Sequence, residues 1–188
     1  MTENKNKQEP FWKVLGTKPG FRGNWIDIDL DEIELPDGKK IEFEAVRYHN
    51  NGVGVAAEDS EGRIILVKSY RYINDFTGWE IPAGTIPPEQ HHSQCVKQEL
   101  KEEAGCEVKE EDLLYLGSHY ASIGSSSQVF HSYHAKNVTK VTGEIDENEI
   151  IDAKWFTKDE VKEMLSNGDI KDGFSIVVLM KVLYTGAG

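Results

Sequence analysis

The chain has 188 residues and a formal net charge of −12 at pH 7. This length predicts one folded domain with room for a small appendage, and 38% hydrophobic residues are typical of a globular protein. Because a surface this acidic repels phosphate backbones, we expect no extended nucleic-acid-binding surface. A small phosphorylated substrate stays compatible with it, since a bound divalent cation reverses the local charge.

We expect neither a membrane anchor nor a secretory signal. No apolar run approaches the roughly eighteen residues of a membrane helix. Residues 1–11 are mostly polar, lack an apolar signal core and predict a flexible N terminus. Cys95 and Cys106 fit neither a disulfide framework nor a zinc-binding spacing. A cytoplasmic location is therefore the expectation.

The N-terminal part is predicted to form an antiparallel hairpin. Apolar and polar residues alternate in Asn24–Leu35 and again in Ile41–Tyr48, with the turn signal Pro36-Asp37-Gly38 between them. Later β-rich runs predict strands at Gly52–Ala57, Arg63–Tyr70, Trp79–Pro82, Leu113–Tyr120, Gln128–Ala135 and Ile150–Phe156.

Helices are predicted at three places. The first, about Gln90–Ala104, contains neither Gly nor Pro and is followed by Gly105. The second runs from a capping box at Thr157 through Leu165, and the third covers Ser175–Leu183. Together these elements predict the α+β fold class.

The first of these helices carries three glutamates, Glu99, Glu102 and Glu103, on one face. Glu99 and Glu103 lie one turn apart, and like charges at that spacing cost roughly a few tenths of a kcal/mol. The pattern leaves two interpretations open, a solvated charged face and a metal site. Because hard oxygen ligands dominate, a metal here would be Mg²⁺ or Mn²⁺ and not zinc.

The residues around this helix resemble the Nudix box. The stretch Gly84–Cys106 (GTIPPEQHHSQCVKQELKEEAGC) matches the spacing of that motif, in which an Arg-Glu-apolar-x-Glu-Glu-x-Gly run follows a glycine. Trp79–Gly84 and Leu66–Arg71 resemble segments of the ADP-ribose pyrophosphatase branch. The resemblance extends from about Trp12 to Leu183. The box positions that match are Gly84, Glu99, Leu100, Glu102, Glu103, Gly105 and Cys106.

Three places depart from the family pattern. Gln90 stands where the box has its first Glu, and Gln98 stands where it has Arg. A glutamine donates hydrogen bonds but brings no charge. In the loop Ser122–Gln128, this chain lacks the Pro-Gly and the acidic residue that are usual in the branch.

The resemblance implies a Nudix-type α/β/α sandwich with a mixed sheet, plus an N-terminal antiparallel β-sheet. We expect residues 12–48 to form that sheet as a dimerisation subdomain and residues 49–188 to form the hydrolase domain. A homodimer is the expected assembly, because an appendage rich in edge strands is too small to bury its own core.

The implied reaction is metal-dependent hydrolysis of the diphosphate bond of a nucleoside diphosphate sugar such as ADP-ribose. The products would be a nucleoside monophosphate and a sugar phosphate. The resemblance makes Glu99 and Glu103 ligands of Mg²⁺ or Mn²⁺, with the backbone carbonyl of Ala83 as a further ligand. Glu102 would bind the metal directly or support those that do.

A general base is implied in the acidic loop before Ile150–Phe156. We expect it to be Glu149, with Glu147 as the second candidate. Arg71 and Glu80 are expected either to contact the substrate or to pair with each other, and Trp25 is a candidate for stacking on a base. Two other functions stay open: hydrolysis of a different diphosphate, such as a dinucleotide or dinucleoside polyphosphate, and a nucleotide-binding regulatory module with weakened catalysis.

Overall fold

A computed structural model of the chain describes residues 10–141, 145–146 and 148–184. Most of the predicted N-terminal segment 1–11 therefore lies outside the described residues. The chain divides into two compact units. The smaller comprises the residues up to His49 together with Ser122–Gln128, and the larger comprises Asn50–Ala121 and Val129–Gly188. In the described part of the chain, no helix is long and apolar enough to cross a membrane.

The smaller unit is built on a three-stranded antiparallel sheet in the order β1-β2-β3. Its strands are β1 (Lys13–Arg22), β2 (Ile26–Glu34) and β3 (Lys40–Tyr48). Strands β2 and β3 are the predicted hairpin. Strand β1 was not predicted, because Gly16 and Pro19 interrupt its alternation; the pairing of β1 with β2 is irregular at both places.

The loop Ser122–Gln128 joins this smaller unit although it is distant in sequence. The backbone N–H of Val46 donates to the carbonyl of Ser125 at 2.9 Å, and the N–H of Ser127 donates to the carbonyl of Val46 at 3.1 Å. The loop therefore lies along β3 as a short parallel extension of the sheet.

The larger unit contains a seven-stranded mixed sheet. Its strands are β4 (Gly52–Glu58), β5 (Ile64–Arg71), β6 (Phe76–Glu80), β7 (Ala83–Thr85), β9 (Leu113–Tyr120), β10 (Val129–Ala135) and β12 (Ile150–Phe156), while β8 (Cys106–Glu107) and β11 (Thr139–Lys140) form a separate pair. The order is β12-β5-β4-β10-β9, with β6 paired to β5 and β7 paired to β4. Strands β4 and β10 are parallel, and the other pairs are antiparallel.

Three helices cover the two faces of this sheet: α1 (His92–Ala104), α2 (Lys158–Asn167) and α3 (Gly173–Tyr184). Val55 of β4 packs in the same core cluster as Leu100 of α1, whereas its neighbour Ala56 packs in a second cluster with Val178 of α3. Because successive strand residues face opposite sides, both faces need apolar residues, which explains the continuous apolar runs of β4 and β5. The predicted α/β/α sandwich with a mixed sheet and an added antiparallel sheet is confirmed.

The ends of the helices follow local capping rules. Helix α1 begins at His92, two residues later than predicted, because the ring of His91 accepts from the N–H of Ser93 as an N-cap. It ends at Gly105, whose φ of 61° lies in the left-handed region that glycine adopts at little cost. The predicted capping box of Thr157 and Glu160 is present at the start of α2.

Candidate active site

The acidic face of α1 lies against the strand β7 through a contact that requires glycine. A Cβ added at Gly84 would lie 2.1 Å from Cδ of Glu99, so any larger residue would push this carboxylate away. The thiol of Cys95, one turn earlier on α1, also donates weakly to Oε1 of Glu99 at 3.8 Å. The carboxylate of Glu99 is therefore fixed between the strand and its own helix.

Glu103 is the most buried of the three helix glutamates, with 8% of its surface exposed. Its Oε2 accepts a hydrogen bond from the backbone N–H of Ala83 at 2.8 Å. This bond lies at the point where the chain passes from β6 through Ile81-Pro82 into β7. Ala83 and Glu103, both predicted site residues, are thus in direct contact, although through the N–H and not through the carbonyl proposed as a ligand.

The electrostatics of this face show a concentration of negative charge. Burial raises the pKa of Glu103 to about 8, and the charges of Glu99 and Glu149 add to the effect, against the hydrogen bond from Ala83. Burial also raises the pKa of Glu99, as do the charges of Glu102 and Glu149. Carboxylates that oppose one another's ionisation in this way would be stabilised by a cation.

Glu102 faces a different environment from its two neighbours. Its Oε1 accepts a hydrogen bond from Nε2 of Gln98 at 2.9 Å, and Oε1 of Gln98 accepts from Nε2 of Gln90 at 3.2 Å. The two glutamines that depart from the box therefore contact each other. They form an uncharged chain of hydrogen bonds that ends on a glutamate of the site.

The structure also brings Glu149 to this face. The backbone N–H of Asp146 donates to the carbonyl of Glu102 at 3.2 Å, which ties the loop to the C-terminal half of α1. Glu149 follows in a turn closed by its N–H on the carbonyl of Asp146. Its side chain is exposed, and its charge reaches both Glu99 and Glu103. Glu147, the second candidate base, lies outside the described residues.

Arg71 and Glu80 pair with each other at the edge of the site. Nε of Arg71 donates to both carboxylate oxygens of Glu80 at 3.1 Å, and Nη2 donates to Oε2. The Glu80 side chain is 5% exposed, whereas 55% of the Arg71 side chain stays exposed. The positive charge of Arg71 also lowers the pKa of Glu103 against the larger effect of burial, so this pair lies within electrostatic reach of the carboxylates.

Trp25 lies in the smaller unit, just before β2, and 71% of its surface is exposed. The larger unit alone therefore supplies the carboxylates and the Arg71–Glu80 pair.

Comparison with known proteins identifies the family. A family model described as NUDIX domain matches residues 48–173. The chain belongs to the Nudix family. A second model, described as the nucleoside diphosphate sugar hydrolase N-terminal domain, matches residues 12–46, which contain β1, β2 and most of β3.

Two curated relatives match this Nudix hydrolase over most of their length. A methanol dehydrogenase activator from Bacillus methanolicus is 30% identical over 169 residues, which cover 89% of this chain and 90% of that protein. An ADP-ribose pyrophosphatase from Bacillus subtilis (strain 168) is 30% identical over 162 residues, which cover 85% of this chain and 86% of that protein.

A solved structure confirms the Nudix fold. A crystal structure described as that of an ADP compounds hydrolase superposes with a TM-score of 0.83 and covers 97% of this chain and 99% of that chain. Its sequence is 18% identical to this one.

Members of the Nudix family generally use divalent metal ions, so the fit of this site to a cation matters. Among the residues that the structure describes, no group of three or more His, Cys, Asp or Glu side chains is arranged to hold a metal ion. Each glutamate instead contacts a protein group: Glu99 contacts Gly84 and Cys95, Glu102 contacts Gln98, and Glu103 contacts Ala83. The donor chemistry nevertheless fits a hard cation, because the nearby groups are carboxylates that raise one another's pKa.

Two features of the Nudix site were not predicted from the sequence. The first is the contact of Gly84 with Glu99, for which the only signal was the glycine of the box. The second is Cys95, whose pKa rises to about 12 through burial and the charge of Glu99. Nothing in its sequence neighbourhood distinguishes Cys95 from an ordinary core cysteine, and its raised pKa makes it unreactive at neutral pH.

Proposed function

We propose that this Nudix hydrolase cleaves the diphosphate bond of a nucleoside diphosphate sugar such as ADP-ribose, with Mg²⁺ or Mn²⁺ bound. The carrying observation is the group of mutually repelling carboxylates on α1, held against Gly84 and Ala83. The N-terminal family model and the relative named ADP-ribose pyrophosphatase support the substrate class. Water attacks one phosphorus, and the bond from that phosphorus to the bridging oxygen breaks. The bridging oxygen leaves on the other phosphate, so the products are a nucleoside monophosphate and a sugar phosphate.

Glu99 and Glu103 would hold the cation, with the carbonyl of Ala83 as a further ligand and Glu102 as a ligand or a supporting group. A bound divalent cation would neutralise the diphosphate oxygens and lower the pKa of the attacking water. To bind it, Glu103 must lose the proton that its raised pKa favours. Metal affinity should therefore fall as the pH decreases.

Glu149 would act as the general base. This role is supported by the charge of its exposed carboxylate, which helps to raise the pKa of both Glu99 and Glu103. Glu149 would take a proton from the attacking water as the oxygen–phosphorus bond forms. Glu147 remains the second candidate for this role.

Arg71 would bind the diphosphate. Because Glu80 occupies Nε and Nη2, it fixes the plane of the guanidinium and leaves Nη1 to donate to a substrate oxygen. Glu80 would contact the substrate only through Arg71. Trp25, which is exposed and lies just before β2, stays the candidate for stacking on a nucleobase.

We further propose a homodimer in the cytoplasm. In the smaller unit, strand β1 exposes Val14 (61%) and Phe21 (53%), an apolar surface that a second copy would cover. Both cysteines are free and buried, which suits a reducing compartment. The mass in solution, measured by light scattering, tests the dimer.

A hydrolysis screen tests the function. ADP-ribose, other nucleotide sugars, dinucleotides and dinucleoside polyphosphates would be incubated with Mg²⁺, with Mn²⁺ and with a chelator. We expect metal-dependent release of a nucleoside monophosphate from a nucleotide sugar. Preference for a dinucleotide would show that the enzyme belongs with the hydrolases of dinucleotides and not with those of nucleotide sugars. Metal binding without any turnover would instead favour a regulatory module, the alternative that the uncharged Gln90 and Gln98 support.

A further inference from the structure

A pocket of about 690 Å³ opens in the larger unit beside the Arg71–Glu80 pair. One wall is the segment after β5, where Tyr72–Asn74 form a single 3-10 turn, and the other wall is the loop between α2 and α3 at Lys171–Gly173. A volume of this size is typical of small-ligand sites, which span roughly 300–1,000 Å³. The pocket lies wholly within one unit, so it does not depend on the smaller sheet.

The pocket adjoins the carboxylate site through the Arg71–Glu80 pair. Arg71 and Glu80 line it, and the charge of Arg71 acts on Glu103. A diphosphate held between Arg71 and the carboxylates would therefore direct one of its two organic ends into this space. Glu80 accepts from Nε and Nη2 of Arg71, and 55% of the Arg71 side chain stays exposed.

The walls combine apolar surface with hydrogen-bonding groups. Tyr72 and Ile73 expose 78% and 79% of their surface at the rim. The ammonium group of Lys171, another lining residue, lies 4.8 Å from the centre of the Phe76 ring. The amide of Asn74 adds a donor and an acceptor.

We infer that this pocket binds the sugar end of the nucleotide sugar and that Tyr72 and Lys171 determine which sugars are accepted; this rests on the proposed function. A sugar ring presents one apolar face and several hydroxyl groups, which match an exposed ring and a lysine–amide pair. A nucleobase would be better held between two parallel flat groups. Among the described ring contacts, none joins two rings of this pocket, and the ring of Phe76 is already covered by Lys171.

Substrate pairs that change one end at a time test the inference. ADP-ribose, ADP-glucose and ADP-mannose vary the sugar, whereas ADP-glucose, UDP-glucose and GDP-glucose vary the base. In Tyr72→Ala and Lys171→Ala we expect kcat/KM ratios among the three sugars to change by about tenfold, with ratios among the three bases unchanged. Matched controls are Tyr184→Ala and Lys109→Ala, an exposed tyrosine and an exposed lysine outside the pocket, which should change neither set.

The outcomes separate this inference from the proposed function. A change in the base ratios with constant sugar ratios would assign the pocket to the nucleoside and overturn the inference, as would no change in either set. If the wild-type enzyme turns over none of these substrates, the proposed function fails. Binding of ribose 5-phosphate, followed by ligand-observed NMR, then decides: binding that is lost in Lys171→Ala supports the pocket, and no binding to wild type overturns it.

Discussion

Helix α1 presents two rows of polar side chains that differ sharply in environment. The inner row, Glu99 and Glu103, packs against β7, and burial raises the pKa of both carboxyl groups. The outer row, Gln98 and Glu102, is exposed and joined by a hydrogen bond. Glu102 and Glu103 are adjacent in sequence and of the same residue type, yet only Glu103 is buried. The difference therefore comes from the directions in which the two side chains leave the helix.

This difference indicates what each row contributes. One buried and one partly buried carboxylate, one helical turn apart, destabilise the protein unless a proton or a cation compensates them. A bound divalent cation would compensate both charges. The outer row has water as an alternative partner, and exposed hydrogen bonds of this kind contribute little to stability. We therefore expect large effects from the inner row and small ones from the outer row.

The largest effect is expected from Glu103→Gln. The amide can still accept from the N–H of Ala83, so the local packing is kept while the charge is lost. We expect turnover to be abolished, a loss in kcat of more than roughly 10⁴, with much weaker Mg²⁺ and Mn²⁺ binding by calorimetry. Glu102→Gln on the outer row is the matched control and should lose clearly less. Equal losses in the two variants would remove the distinction between the rows.

The next largest effect is expected from Glu149→Gln, which changes neither row. If Glu149 takes the proton from water, kcat should fall by roughly 10²–10⁴ while metal affinity stays near that of the wild type. The comparison with Glu103→Gln thus separates loss of the base from loss of the metal. Full activity in Glu149→Gln would point to Glu147 as the base.

The stability of the metal-free protein gives a third test of the inner row. The pKa of Glu103 is raised from 4.5 to about 8, so the folded protein keeps this proton to higher pH than the unfolded chain does. The protonated carboxyl group of Glu103 stabilises the folded protein fully below about pH 4.5. This stabilisation is lost as the pH rises from there through about 8.

In chelator, Glu103→Gln should therefore unfold at a higher temperature than the wild type above neutral pH. The difference between the two proteins in the free energy of unfolding should widen from pH 5 to pH 9, to the order of a few kcal/mol. The histidines with lowered pKa, such as His134, are present in both proteins and cancel in the difference. A gap that stays constant with pH would contradict the assignment.

The sequence predicted the fold class, the family and the positions of most elements, because long periodic runs and a spaced motif carry that information. It did not predict β1, where Gly16 and Pro19 disturb the alternation. It also treated Ser122–Gln128 as a loop of the hydrolase domain, whereas backbone hydrogen bonds join this segment to β3. Such pairing depends on contacts distant in sequence and leaves no local pattern.

For the site, the sequence pointed to the three glutamates and to Arg71 and Glu80. It could not separate the inner row from the outer row, since a helical wheel shows direction but not what packs against each side. The sequence allows Arg71 and Glu80 either to pair or to contact the substrate, and the fold brings them together as an ion pair. The contact between Gln90 and Gln98 is likewise a property of the folded loop.

The smallest effect is expected on the outer row, from Gln98→Arg. An arginine there would keep the hydrogen bond to Glu102 and add a positive charge beside it, so we expect kcat/KM to rise by about two- to fivefold. Gln90 and Gln98 are both uncharged, so their contact is a neutral hydrogen bond. In the double variant Gln90→Glu, Gln98→Arg an ion pair would replace it, and we expect a higher kcat/KM than in Gln98→Arg alone. Kinetics of the wild type and both variants at two salt concentrations measure this coupling, because only the charged pair weakens in salt. Unchanged activity in both variants would show that the uncharged chain already orients Glu102 as well as a charged one would.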